Sequence, residues 1–256
     1  MRHTALLDSV AGGRSEVTTL ARDYPPGYRI PTRYHDRDQL VYASRGVMTV
    51  RTRDGAWVVP THRAAWIPAA VAHTIATSGA VTMRTVYLKP RLTRALPRMC
   101  AVVNVSPLLR ELILRACEIG ALRRTVARQR HLVDVMLDQL DSVDLVPLRL
   151  PTPTDARTHR VAGILMANPA DRRPLADICR SAGASKRTVE RLFQDEVGMT
   201  VGRWRQQLRL MQAMRLLASG AKVTHAALES GYRTPSAFIT MFKRALGTTP
   251  RSYAKT

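Results

Sequence analysis

The chain is 256 residues long, 45% hydrophobic and 23% charged, and its 40 Lys+Arg against 19 Asp+Glu leave a net charge of +21. Such a composition can bury a sizeable core in one large or two ordinary domains, and it excludes a disordered tail or a collagen-like repeat. Three cysteines (Cys100, Cys117 and Cys179), with no Cys-x-x-Cys pair, exclude a closed disulfide framework and a zinc knuckle and point to a reducing compartment.

At the amino terminus Asp8 interrupts the sequence before an apolar segment forms, and no apolar run later approaches about 18 residues. A cytoplasmic chain with no membrane partner is therefore expected. Short stretches rich in β-branched and aromatic residues follow at 39–43, 46–53, 56–59, 64–67, 73–76 and 81–88. Turn signals such as Arg53-Asp54-Gly55 and Ser78-Gly79 separate them, which predicts an antiparallel β-barrel or sandwich over residues 1–105. From Ser106 the period changes. Leu108, Leu109, Leu112, Ile113, Val126, Val133, Met136, Leu137 and Leu140 recur at three- and four-residue steps, predicting amphipathic helices over 106–146. Pro147, Pro151 and Pro153 mark a linker over 147–154, and residues 155–256 are helical in pattern. The expected class is α+β, an antiparallel barrel with helices followed by an all-α domain.

The basic excess suits phosphate, because each neutralised phosphate releases counterions. Residues 155–256 carry 18 Lys+Arg and 7 Asp+Glu, or +11 in 102 residues, against +10 in the first 154. Most of the cations are Arg, which compositional bias also explains, so motifs have to decide.

Leu175 to Phe193 has a helix-turn-helix pattern: Cys179 stands one turn before Gly183, Ser185 is a cap for the next helix, and Val189, Leu192 and Phe193 form that helix's buried stripe. Lys186, Arg187, Glu190 and Arg191 are then left facing outward. Ala226 to Phe242 repeats the pattern with Ala227, Gly231 and a stripe of Phe238, Met241 and Phe242, its turn one residue longer. Between the two copies, Thr200 to Ser219 reads as a helix with Trp204, Leu208, Met211, Leu216 and Leu217 on its core face. About 20 residues span roughly 30 Å, close to the ~34 Å of one duplex turn.

Leu175 to Tyr253, with Arg209 to Ala213, Gly231-Tyr232, Pro235 to Phe238 and Phe242 to Pro250, resembles the DNA-binding domain of AraC/XylS-type transcription regulators. The resemblance implies base reading by Arg187, Glu190 and Arg191, with Ser185 and Lys186 at the head of the same helix. Chemically, Arg191 suits a guanine and Glu190 a cytosine N4 amine. The second helix has Thr240, beside Ile239, where many relatives carry Arg. Its Pro235, Ser236, Thr240, Lys243 and Arg244 are therefore assigned to the DNA face, with Lys243 and Arg244 anchoring phosphate.

Gly27 to Gly46 resembles the first cupin motif, with Arg33, His35 and Gln39 at the ligand spacings, and Pro68 to His73 resembles the second, with Ala70 in place of the usual Gly. Arg33 and Gln39 replace a His and a Glu, so no metal and no cofactor is expected. Arg33, His35, Gln39 and His73 instead suit a small-molecule effector, Arg33 taking an anionic group; a hydrogen-bond network at the barrel mouth is the other reading of the four. AraC-type relatives of this architecture pair subunits through the helices corresponding to 106–146. A homodimer is thus implied, the alternative being that these helices pack on their own barrel.

The leading expectation is a sequence-specific regulator, not an enzyme, whose partners are double-stranded promoter DNA, a small effector and RNA polymerase. A metal-dependent cupin enzyme with a basic helical appendage, and a nonspecific nucleic-acid binder, are the alternatives.

Overall fold

The computed structural model describes residues 15–141, 145–146 and 149–254. The amino-terminal stretch around Asp8 and the linker residue Pro147 lie outside the described residues. The chain divides into two compact units, residues 1–53 with 57–149, and 54–56 with 150–256.

The first unit is built on β1 (Val17–Tyr24), β2 (Arg29–Arg33), β3 (Asp38–Thr52), residues 57–59 of β4 (Gly55–Val59), β5 (Arg63–Ile67), β6 (His73–Leu88), β7 (Ala101–Asn104), β8 (Ala121–Leu122) and β9 (Leu145–Val146). They form an antiparallel sheet in the order β8-β1-β6-β3-β5-β7-β9, with β2 also on β6 and β4 also on β3. The sequence reads β3 and β6 as four separate strands. Instead the chain runs through both breaks: the β3–β6 register shifts around Arg45, where Gly46 (φ +82°) and Gly79 (φ +73°) sit as bulges, not as chain reversals. A Cβ on Gly46 would stand 2.3 Å from the Ala80 carbonyl oxygen, so the close approach of the two strands requires glycine. β1, β2 and β7 lie outside the expected segments; β1 exposes Ala21 to Asp23, and β7 is only four residues long.

Strand alternation gives the sheet two buried faces. On one, Leu40, Tyr42, Ala64, Trp66, Val86 and Leu88 pack beneath two helices, α1 (Pro107–Ile119) and α2 (Ala127–Asp141). Leu109, Ile113 and Ala116 from α1 and Val133, Met136 and Leu140 from α2 complete that core. The apolar stripes of these helices are thus buried within their own unit, while Leu108 and Val126 stay exposed. Ser106 caps α1, its Oγ accepting from the Leu109 amide at 3.0 Å. Gln39 and Tyr87, directly paired across β3 and β6, lie on the opposite face.

Ala70 is the one non-glycine with positive φ (+64°) among the described residues. It holds the left-handed place where the resembled motif carries glycine, and its amide donates to the His35 carbonyl at 2.7 Å. An L-residue pays roughly 1–2 kcal/mol there, partly offset by the flexibility glycine adds to the unfolded chain. Ala70→Gly is therefore expected to stabilise the first unit by about 0.5–1 kcal/mol; a fall in its melting temperature would contradict this.

The second unit contains α3 (Ala156–Ala167), α4 (Leu175–Ser181), α5 (Lys186–Val197), α6 (Val201–Ala218), α7 (Val223–Glu229), α8 (Pro235–Leu246) and α9 (Pro250–Ala254). Asp155 caps α3, accepting from the Arg157 amide at 2.8 Å. Glu196 of α5 accepts from the amides of Thr154 and Asp155 at 3.0 and 2.9 Å and from the Thr158 hydroxyl at 3.1 Å, which ties α3 to α5. The long helix α6 begins at the Thr200 cap and ends at Ser219, matching the sequence reading. Trp204, Leu208, Met211, Met214 and Leu217 form its buried face. Trp204 meets Phe193 edge-on, centroids 5.8 Å apart, and donates its indole N–H to the Pro151 carbonyl at 2.8 Å.

Candidate nucleic-acid interface and barrel polar cluster

Two helix pairs, α4–α5 and α7–α8, repeat one construction. Each turn passes through a left-handed glycine, Gly183 (φ +69°) or Gly231 (φ +80°). Each second helix then starts at a hydroxyl cap: Ser185 Oγ accepts from the Thr188 amide at 3.2 Å, and Thr234 Oγ1 from the Ala237 amide at 3.3 Å. Val189 and Phe193 bury the inner face of α5, Phe238 and Phe242 that of α8, and Leu192 and Met241 are half-buried beside them. The stripe therefore turns the remaining residues outward. Ser185, Lys186, Arg187, Glu190 and Arg191 are exposed on the first helix, and Pro235, Ser236, Ile239, Thr240, Lys243 and Arg244 on the second.

On α5 the outward Lys186, Glu190 and Arg191 are paired along the helix. Lys186 Nζ lies 3.6 Å from Glu190 and Arg191 Nη1 lies 3.3 Å from Asp195, all four being about half-exposed or more. Exposed pairs one turn apart contribute only a few tenths of a kcal/mol, so both remain open to exchange for a base or a phosphate. Asp195 is a residue the sequence reading passed over; its signal was an acid four positions beyond Arg191 on the same face.

A second feature missed in the sequence is the arginine latch of α6. Arg209 donates from Nε to the Pro169 carbonyl at 3.1 Å and from Nη2 to the Asp171 carbonyl at 2.7 Å. Arg205 donates to the same Asp171 carbonyl and, at 3.2 Å, to that of Arg173. The Asp171 carboxylate in turn grips Arg173 at 2.7 Å, and hydrogen bonds from that guanidinium hold its carboxyl below the usual carboxylate range. Arg172 reaches the Tyr232 carbonyl at 3.1 Å. The loop ahead of the first helix pair is thereby tied both to the connecting helix and to the turn of the second pair.

In the first unit the four resembled cupin positions converge. Arg33 pairs directly with His73 across β2 and β6, the His35 and His73 rings are 5.6 Å apart, and His35 meets Tyr87 edge-on at 5.1 Å. Gln39 Nε2 donates to the Tyr87 hydroxyl at 3.4 Å, and Arg33 Nε to the Pro31 carbonyl at 3.3 Å. His73 is 2% exposed, and its Nδ1 faces the Val71 carbonyl at 2.9 Å. A carbonyl only accepts, so Nδ1 carries the proton and Nε2 is left as a buried base with no hydrogen-bond partner among the described residues. Burial, with lesser repulsion from His35 and Arg33 outweighing the Val71 bond, lowers the His73 pKa to about 4; burial pushes the Tyr87 hydroxyl up to about 12. Burial also lowers the Arg33 pKa, against the nearby Tyr87. Among the described residues no group of three or more His, Cys, Asp or Glu side chains is placed to hold a metal ion. Two imidazoles beside a guanidinium are a poor donor set for one.

A neutral buried imidazole has a consequence for stability. The folded pKa of about 4 lies below the ordinary 6.5, so between these values the unfolded chain takes up a proton that the folded one refuses. Stability therefore falls as pH drops through that window, by about 2 kcal/mol at pH 5. His73→Asn, which keeps a donor for Val71, is expected to remove that share of the pH dependence. Thermal unfolding of both proteins at pH 8 and pH 5 measures it; an unchanged slope in the variant would refute the neutral assignment.

Both units match known families. A profile of the AraC-like ligand binding domain covers residues 17–139, and a profile of the helix-turn-helix domain covers residues 178–256. The HTH-type transcriptional regulator NimR of Escherichia coli (strain K12) is 31% identical over 223 residues, 87% of this chain and 81% of that protein. The HTH-type transcriptional regulator RipA of Corynebacterium diphtheriae is 36% identical over 107 residues, 42% of this chain and 31% of RipA. Among solved structures, fatty-acid-bound ToxT from Vibrio cholerae aligns over 99% of this chain and 97% of its own, with 11% identity and a TM-score of 0.39. No helix among the described residues is long and apolar enough to cross a membrane. An antiparallel sheet unit matched by the ligand-binding profile, a tandem helix-turn-helix unit, and a regulator alike over most of both chains together show that this protein belongs to the AraC family of DNA-binding transcription regulators.

Proposed function

We propose that the chain reads promoter DNA in a sequence-specific manner through α5, anchors on the backbone through α8, and responds to a small molecule held in the first unit. The repeat of capped, outward-polar helices on either side of α6 is the observation that carries this reading. Arg191 and Glu190 supply the base contacts, Arg187 either a base or a phosphate contact, and Ser185 and Lys186 the backbone contacts at the head of α5. Lys243 and Arg244 meet phosphate at the far end of α8. Residues 155–256 form the DNA-binding domain and 1–105 the sensing domain, joined through 106–146 and the linker 147–154.

The effector site is assigned to Arg33, His35, Gln39 and His73. Its chemistry favours a small molecule that offers an anionic group to Arg33 and an N–H or O–H donor to His73 Nε2. Because α1 and α2 bury their stripes on their own sheet, a homodimer would use their outer faces, where Leu108 and Val135 are exposed. The regulator acts in the cytoplasm with RNA polymerase as its downstream partner. A gel-shift assay of the full chain on the upstream regions of its own genome tests the central claim. Binding that does not exceed that of competitor DNA at moderate salt would overturn it.

A further inference from the structure

We infer that α8 reads thymine methyl groups through Ile239, so that the two helices recognise different chemistry and the two segments of the operator differ in composition. This rests on the reading of α5 and α8 as the DNA-facing helices. The matched caps and aromatic stripes set Ser185 against Thr234 and Phe193 against Phe242. In that equivalence Ile239 stands where α5 carries Glu190, Thr240 where it carries Arg191, and Ser236 where it carries Arg187.

Ile239 is 38% exposed, a large apolar side chain amid the outward Pro235, Ser236, Thr240 and Lys243. A single exposed isoleucine is ordinary on a protein surface. At this position, however, it occupies the middle of the outward face, and none of positions 236, 239 and 240 can offer a guanine the bidentate donor that Arg191 offers from α5. In the major groove thymine alone presents a methyl group, and apolar contact is the way a protein reads it. Thr240 lies beside Ile239 in sequence, and its methyl adds an apolar contact of the same kind. The helix start is poorly equipped for phosphate: Pro235 has no N–H and Thr234 already takes the Ala237 amide, which leaves the Ser236 amide. Lys243 and Arg244, one turn beyond Ile239 and Thr240, supply the backbone charge.

The operator is accordingly expected to hold a segment sensitive to G·C exchange beneath α5 and, about one helical turn away, a segment that depends on thymine beneath α8. The test uses the full chain and a site recovered from a random duplex library. Each thymine is replaced in turn by deoxyuridine, which removes the methyl and leaves base pairing intact. Wild type is expected to lose about 3- to 5-fold in affinity at one or two thymines of one segment, the loss that one methyl-sized apolar contact gives. Ile239→Ala is expected to bind the unmodified site more weakly by a similar factor and to be indifferent to deoxyuridine at those positions. Its undiminished response to G·C changes in the other segment shows that it is folded. Indifference of the wild type to every deoxyuridine, or an equal loss in the variant, overturns this inference and leaves the reading by α5 standing. Recovery of no preferred site overturns both.

Discussion

Arg191→Ala is expected to weaken binding to the preferred operator by about 1–3 kcal/mol while leaving affinity for unrelated duplex nearly unchanged. The side chain is 66% exposed and its intramolecular contact is a surface pair with Asp195, so its removal should leave the second unit folded. Alanine is also at least as good a helix former as arginine. The loss is read as a difference: a bidentate contact to guanine O6 and N7 exists only where the right base pair lies beneath α5, so competition assays against point-substituted sites should show relaxed preference at one position. A phosphate contact behaves otherwise, weakening all sequences alike and lowering the salt slope by about one. Uniform loss in Arg191→Ala would therefore transfer the residue to the backbone class and favour a binder that lives on net charge. Asp195 adds a control. Freed of its partner in Asp195→Asn, Arg191 has one competitor fewer, and operator affinity should rise modestly.

The helical part of this protein was open to a reading from sequence because its signals are local. Ser185, Thr200 and Asp155 are caps that act on the next three residues, and Phe193 or Phe242 buries whichever partner lies opposite, so boundaries and outward faces follow from spacing alone. The sheet was less legible because Gly46 and Gly79 carry the same sequence signal as a turn. Only the approach of Ala80 to Gly46, decided by a strand more than thirty positions away, makes them bulges within β3 and β6. The cupin-like cluster was visible as spacing, but the tautomer of His73 depends on the Val71 carbonyl, which has no side-chain signature. The arginine latch was hidden for the same reason: its acceptors at Pro169, Asp171, Arg173 and Tyr232 are main-chain oxygens, to which any residue contributes equally.

That latch yields the other large effect. Gly231→Ala is expected to destabilise the second unit by about 3 kcal/mol or more, of which the left-handed φ of +80° accounts for roughly 1–2 kcal/mol. The remainder comes from Arg209. A Cβ on residue 231 would lie 2.8 Å from its Nη2, 2.9 Å from its Cζ and 3.0 Å from its Nε. A guanidinium at the end of a long side chain usually moves aside cheaply, but this one is held by the carbonyls of Pro169 and Asp171, and hydrogen bonds to a charged group are worth about 1.5–3 kcal/mol. The two positions must therefore be coupled. In an Arg209→Ala background the alanine at 231 meets no guanidinium, and its effect should shrink to the backbone strain alone. Denaturant unfolding of the four proteins in that cycle gives the coupling directly. Additive losses would mean that Arg209 yields freely and does not brace the turn of the second helix pair. A coupling of about 1 kcal/mol or more, accompanied by weaker operator binding in Arg209→Ala, would show that the latch sets how the loop at Asp171 and the turn at Gly231 are held for recognition.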